Sequence, residues 1–328
     1  METYTIQSDN IKLSFIKLGG RITSLTCADR NGIRKNVVLS PVDVTQGNPF
    51  YGAIIGRVAN RICRGNFSLN GKSYNLTINN APNHLHGGPM GFHNQLWEIK
   101  SIKADQAVLF YKSTNGEENY PGNVEAEVSY SILDHDLIIE LRATTDQATP
   151  INLTHHCFFN LAGEGEGDVL NYLVSINADN YTPLDQHQIP TGEIKSVADS
   201  PFEFRKAKHI GADIDVDHEQ IRYGHGYDHN FVINKNGDVL SKAARVEEPV
   251  SGRTLEVFTN APCMQFYTGN FMDGSETGAN GKKYERRTAF CLEPQHFPDA
   301  VNQPAFPSVI VEPGQIYMQK IIYRFGVA

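Results

Sequence analysis

Residues 124–143 read VEAEVSYSILDHDLIIELRA. Val124, Ala126, Val128, Tyr130 and Ile132 alternate with Glu125, Glu127, Ser129 and Ser131. That period of two turns apolar side chains to one face of a β-strand and polar ones to the other. After a polar Asp134-His135-Asp136 turn the alternation resumes at Leu137, Ile139, Leu141 and Ala143, which predicts a hairpin. The last run of the chain has the same habit through Tyr317, Ile321, Tyr323 and Phe325. Asn-Gly pairs at Asn31-Gly32, Asn70-Gly71 and Asn236-Gly237 sit between strand-like runs and suit the positive φ angles of tight hairpin turns. Helical periodicity is nearly absent; residues 217–222 predict one turn or a short helix. Many short strands with turns between them predict a sandwich or barrel rather than βαβ units. No linker, composition break or internal repeat divides the chain, so residues 1–328 read as one all-β domain, a large antiparallel β-sandwich.

Composition narrows the chemistry. A chain of 328 residues with a net charge of -8 and no lysine or arginine run disfavours nucleic acid and anionic membrane as partners. The five cysteines, Cys27, Cys63, Cys157, Cys263 and Cys291, are scattered and form no CxxC pair. Their spacing argues against a thiolate metal or redox site and for reduced thiols. The opening METYTIQSDN has no basic-then-apolar leader, and no run of about 18 apolar residues follows. The expected location is the cytoplasm. The expected partner is a neutral small molecule, bound by a monomer or a homodimer.

Four polar clusters are candidates for a site: Asn60-Arg61 in YGAIIGRVANRI, His84 and His86 in PNHLHGGPMGFH, His155-His156 in INLTHHCFFNLAG, and Glu293 in CLEPQHFPDAVNQP. Asp228 in YDHNF and Gln265 in MQFYTGN add polar groups flanked by aromatics. Arg61 also reads as a surface or ion-pairing arginine. His84 and His86, two apart on a strand, would share a face; the spacing can hold a metal, but no carboxylate ligand lies nearby, so no metal is expected. Of His155 and His156, adjacent on a strand, only one can face a cleft. Glu293 follows the apolar run 289–292, where a carboxylate is costly unless paired or functional. Trp97 and Tyr267 could stack on a ligand ring, although aromatics on sheet faces are more often core. Carboxylates, imidazoles, one arginine and two amides suit a polyhydroxylated ligand and proton transfer. The residue types alone do not separate a sugar isomerase from a sugar-binding module.

The strings GRVANRI, NHLHGG, NLTHHCFFNLAG, YDHNF, MQFYTGN and CLEPQHFPDAVNQP, in this order from about Gly19 to the C-terminal EPGQIY and YRF, resemble the aldose 1-epimerase (galactose mutarotase) family. The resemblance implies a β-sandwich of the galactose mutarotase type, interconversion of the α and β anomers of free aldoses such as glucose and galactose, and no cofactor. It implies Glu293 as general base on the anomeric hydroxyl and His156 as the acid that protonates the ring oxygen. His86 is implied beside the sugar, Arg61, Asp228 and Gln265 on its hydroxyls, and Asn60 close by. Two departures stand out. Cys157-Phe158 replaces the Ser or Thr and then Tyr common in relatives, and EPGQ replaces RPGE. The first bears on the pocket wall.

Ordinary side-chain values put a glutamate in its ionised form at neutral pH and a histidine partly in its charged form. A nearby carboxylate would raise the histidine further. The expected rate–pH profile is therefore a bell with a carboxylate limb on the acid side and a histidine limb near neutrality. Three other readings remain at this stage: a binder without turnover, an epimerase of hexose 6-phosphates, and a metal enzyme built on His84 and His86.

Overall fold

A computed structural model describes residues 1–237 and 239–328. The strand Val124–Leu133 pairs antiparallel with Asp136–Thr145 through a two-residue turn, so Asp136 belongs to the strand rather than to the turn. Asp134, in that turn, takes a positive φ of 51°. The alternation holds along the pair: Val124, Ala126, Val128 and Tyr130 are fully buried, as are Leu137 and Ile139 across from them.

This hairpin lies within a nine-stranded sheet. Its order is Glu98–Ile102, Gln106–Ser113, Val124–Leu133, Asp136–Thr145, Tyr317–Val327, Arg253–Thr259, Ser241–Glu247, Leu173–Ile176 and Lys208–His209. A five-stranded sheet runs Lys195–Ser196, Asn180–Thr182, Asp228–Val232, Cys263–Tyr267 and Cys291–Gln295. One core cluster joins Val128, Leu141 and Ile321 of the large sheet to Phe231, Phe266 and Leu292 of the smaller one. The two sheets thus close on a shared apolar layer, the sandwich the alternation predicts. A four-stranded sheet from the N-terminal region adds Leu13, Phe15 and Leu25 to the same cluster.

Among the described residues the one α-helix is Glu219–Gly224, close to the predicted turn. His218 caps it by accepting from the Gln220 N–H. Asn70-Gly71 makes a tight hairpin between Asn66–Leu69 and Lys72–Asn75, with both residues at positive φ. Asn31-Gly32 lies in a longer five-residue connection, since Ala28 pairs with Arg34. Asn236-Gly237 joins no hairpin: the strands on either side of it belong to different sheets. The dipeptide marks a turn there but not strand pairing. Among the described residues, no helix is long and apolar enough to cross a membrane.

Candidate active site

Cross-strand register assembles the first part of the site. Gln265 lies opposite Glu293, and Asn230 lies opposite Gln265. Directly paired residues point to the same face, so Asp228, two residues before Asn230, joins Gln265 and Glu293 there. Leu292 turns the other way, into the core. Gln265 Nε2 donates to Asp228 Oδ1 at 2.7 Å. Gln265 Oε1 and Glu293 Oε2 are buried without a hydrogen-bond partner, the state expected of groups meant to meet a ligand.

A single antiparallel bridge, Phe159 with Phe290, carries the second part. Continued three residues, its register sets His156 opposite Glu293. Their nearest atoms, His156 Nε2 and Glu293 Oε1, stand 3.5 Å apart, just beyond a good hydrogen bond. Gln319, the one buried polar break in the apolar face of the last strand, donates to both Leu153 O at 3.1 Å and Pro294 O at 2.8 Å. It ties together the two segments that carry the pair. Neighbouring His155 points away: its Nε2 meets Tyr130 Oη at 3.1 Å and its Nδ1 meets Cys157 Sγ at 3.4 Å. The parity expectation holds, with His156 in the cleft and His155 in the core.

Arg61 comes from a short strand pair in which it faces Leu85, and Asn60 and His86 flank that pair. Asn60 and His86 both have left-handed backbones, φ 63° and 52°, and they interlock. His86 N donates to Asn60 O at 3.0 Å, and Asn60 N donates to His86 Nδ1 at 3.1 Å. Gly87 follows because a Cβ there would fall 1.8 Å from Gly56 O. This turn breaks the expected strand geometry. Strand pairing ends at Leu85, so His84 and His86 do not share a face. His84 is a core residue whose Nδ1–H donates to Thr77 O at 2.6 Å while its Nε2 accepts from Tyr120 Oη at 2.8 Å.

These groups line one open cavity of about 410 Å³ that holds Asn60, Arg61, His86, His156, Asp228, Gln265 and Glu293 together. Of the candidate clusters, only His84 and His155 lie outside it. Glu293 is 2% exposed and His156 5%. Burial pushes the Glu293 carboxyl well above the usual carboxylate range, and Asp228 adds to this, while Arg61 opposes it. Burial pushes the His156 imidazole down to about 3. These directions correct the expectation of ordinary values, because both groups are almost fully buried. The Phe158 ring lies nearly parallel to His156 at 4.8 Å, and Phe50 does so at 5.9 Å.

His86, His156 and Glu293 also have the composition of a metal triad, with ligand atoms within 4.8 Å of one another. The tautomer argues against that use. His86 Nδ1 accepts from Asn60 N–H, so in the neutral ring Nε2 carries the proton and no lone pair is left for a cation. Burial, then the neighbouring His156 and Arg61, keep His86 well below its ordinary value and hence neutral. A fixed N–H donor suits a sugar oxygen.

The family model described as aldose 1-epimerase matches residues 2–324. The chain belongs to the aldose 1-epimerase family. Human galactose mutarotase is 43% identical over 332 aligned positions, covering 100% of this chain and 95% of the relative. The aldose 1-epimerase of Escherichia coli K12 is 38% identical over 279 positions, 84% of this chain and 80% of the relative. Among solved structures, the GalM/aldose epimerase homologue from C. elegans superposes with a TM-score of 0.91 at 29% identity, covering 100% of both chains. The galactose 1-epimerase of Lactobacillus acidophilus gives 0.85 at 26% identity, covering 99% of this chain and 94% of that one.

Within this aldose epimerase fold, sequence reasoning missed Asn48, Phe50, Asn80, Gln188 and Phe271, all of which line the cavity. They come from loops with no periodicity, so no local signal marked them. Tyr267 lines the cavity as its stacking reading allowed, whereas Trp97 is fully buried in the core with its indole N–H donating to Phe92 O at 3.1 Å. The family departure at Cys157-Phe158 divides by parity. Cys157 packs in the core, while Phe158 forms pocket wall.

Proposed function

We propose that Glu293 and His156 perform the anomer interconversion of this aldose 1-epimerase as a pair sharing one proton. The observation that carries this reading is their buried 3.5 Å approach in the wall of the cavity. Opening the sugar ring moves a proton from the C1 hydroxyl to Glu293 and a proton from His156 to the ring oxygen. The C1–O5 bond breaks, and an aldehyde forms at C1. Rotation about C1–C2 and closure reverse both transfers on the other face of C1. The enzyme ends as it began, and the reaction balances with these residues alone.

Burial opposes the charged starting state of this division of labour, favouring carboxylic acid and neutral imidazole. The ring-sugar state needs carboxylate and imidazolium; the open-chain state leaves carboxylic acid and neutral imidazole. Both hold one proton on the pair. Burial disfavours the two charged groups, which helps the open-chain state, and the Arg61 cation favours the carboxylate and opposes that bias. Burial thus favours the proton on Glu293 and Arg61 draws it back toward His156, so the shared proton has two alternative seats.

The wall supports a neutral sugar as substrate. Arg61 is the one lysine or arginine among the lining residues, and Asp228 lies 4.0 Å from it. A phosphate would meet two carboxyls and one shared cation, so neutral aldoses such as galactose and glucose fit better than hexose 6-phosphates. Asn60, Arg61, His86, Asp228 and Gln265 are read as the groups that hold the hydroxyls. The five cysteines, all unpaired, support a reducing, cytoplasmic setting. Residues 1–328 are read as one domain, supported by the core cluster shared between sheets.

The test is anomer exchange followed by NMR with galactose, glucose, xylose, arabinose and the 6-phosphates of the hexoses. Exchange accelerated for free sugars and slower for phosphates is expected. Preference for the phosphates would overturn the substrate reading, and no acceleration with any sugar would leave a binding protein.

A further inference from the structure

Arg61 and Asp228 are opposite charges at 4.0 Å, almost buried, and yet not in contact. Free to move in such a site, a guanidinium and a carboxylate close to about 2.7–2.9 Å. Each is held back by neutral amides. On one side Asp228 Oδ1 is taken by Gln265 Nε2. On the other, Arg61 Nε donates to Asn80 Oδ1 at 3.0 Å and Arg61 Nη2 donates to Gln188 Oε1 at 2.6 Å.

The Gln188 amide cannot simply rotate away. Its Nε2 donates to Tyr223 O at 3.0 Å, which forces the amide oxygen toward Arg61. Its backbone has a φ of 61°, set in a turn where Asp185 Oδ1 accepts from His187 N at 2.8 Å and from Ile189 N at 3.0 Å. Asn83 Nδ2 donates to His187 O at 3.0 Å, joining that turn to the segment bearing Asn80.

We propose that Gln188 and Asn80 are positioning residues that hold Arg61 off Asp228, keeping a gap that one sugar hydroxyl bridges by accepting from Arg61 Nη1 and donating to Asp228 Oδ2. Hydroxyls do both at once, which a water-free ion pair would not permit. Neutral braces fix the guanidinium without consuming its charge. Without them Arg61 collapses onto Asp228, and sugar must break an ion pair to bind. The inference rests on the sugar-anomer reading of the same pocket.

The experiment is a double-mutant cycle in anomer-exchange kinetics with galactose. Gln188→Met keeps the volume and removes the amide. Expected is a KM raised roughly tenfold with kcat within about twofold of wild type, the signature of lost uniform binding. In an Arg61→Lys background, which lacks the fork, the same change should raise KM less than about twofold. Asn80→Ala, at a half-buried site, should reproduce the pattern and serves if Gln188→Met melts early. An unchanged KM, an equal rise in both backgrounds, or a loss confined to kcat would overturn the proposal. A wild-type enzyme without anomer exchange sinks the activity reading instead; an active one with additive mutations sinks only the brace.

Discussion

The strands Val124–Leu133 and Cys291–Gln295 are both antiparallel and belong to one sandwich, yet they follow opposite rules. The first buries every second side chain and leaves the others partly or fully in water. The second is buried at all five positions, so both of its faces are covered. A strand with one wet face must alternate, and its sequence shows it. A strand covered on both faces is free of that constraint, so a carboxylate in it must have another cause. At Glu293 the proposed cause is chemistry: the carboxyl stands 3.5 Å from His156 in the cavity wall, with one oxygen unpartnered.

If this contrast is right, the two strands should fail differently when cut. Glu293→Gln keeps the shape and removes the proton acceptor. It should lower kcat by roughly a thousandfold, within the range for losing a positioned acid–base group. Sugar binding and melting temperature should hold close to wild type. Polarimetry on freshly dissolved α-galactose reads the rate, and exchange at the wild-type rate would remove Glu293 from the mechanism. Leu141→Ala, in the partner of the first strand, should do the converse. It should cost about 2–5 kcal/mol of stability by denaturant unfolding while leaving kcat per folded molecule unchanged.

The pH dependence sharpens the same contrast. The pair is active with one proton on it. Gaining a second, below the lowered value of His156, removes the base; losing the last, above the raised value of Glu293, removes the acid. Burial therefore pushes the two limbs apart. The kcat/KM profile should have its acid limb near pH 3, where His156 takes the second proton, and its alkaline limb above the ordinary carboxylate range. An acid limb at the ordinary carboxylate or histidine value would show the pair to be solvated. The smallest effect belongs to the wet face of the first strand. Glu127→Ala breaks a surface pair with Lys100 at 3.1 Å and should change stability by no more than about 0.5 kcal/mol. A larger loss would mean that face is covered too.

The same difference explains what could be read from the chain. The large sheet was legible because its inward residues repeat every second position, and parity showed that only one of His155 and His156 could face a cleft, while the choice of His156 rested on the family resemblance. The geometry of His84 and His86 was not legible, because the left-handed turn at His86 depends on the Asn60 backbone more than twenty positions earlier. Asn236-Gly237 shows a local signal true to its conformation and silent about which strands it separates. Asn80 and Gln188 act through Arg61 from distant loops, and no motif carries that relation. The protonation states escaped as well, since they depend on burial that only the closed fold supplies.

All of this turns on two side chains meeting the two oxygens bonded to one sugar carbon. A crystal structure of the Glu293→Gln variant soaked with galactose measures that directly. The account predicts the side chain at position 293 within about 3 Å of the C1 hydroxyl and His156 Nε2 within the same reach of the ring oxygen. A sugar seated in the cavity with C1 turned away from both residues would contradict it.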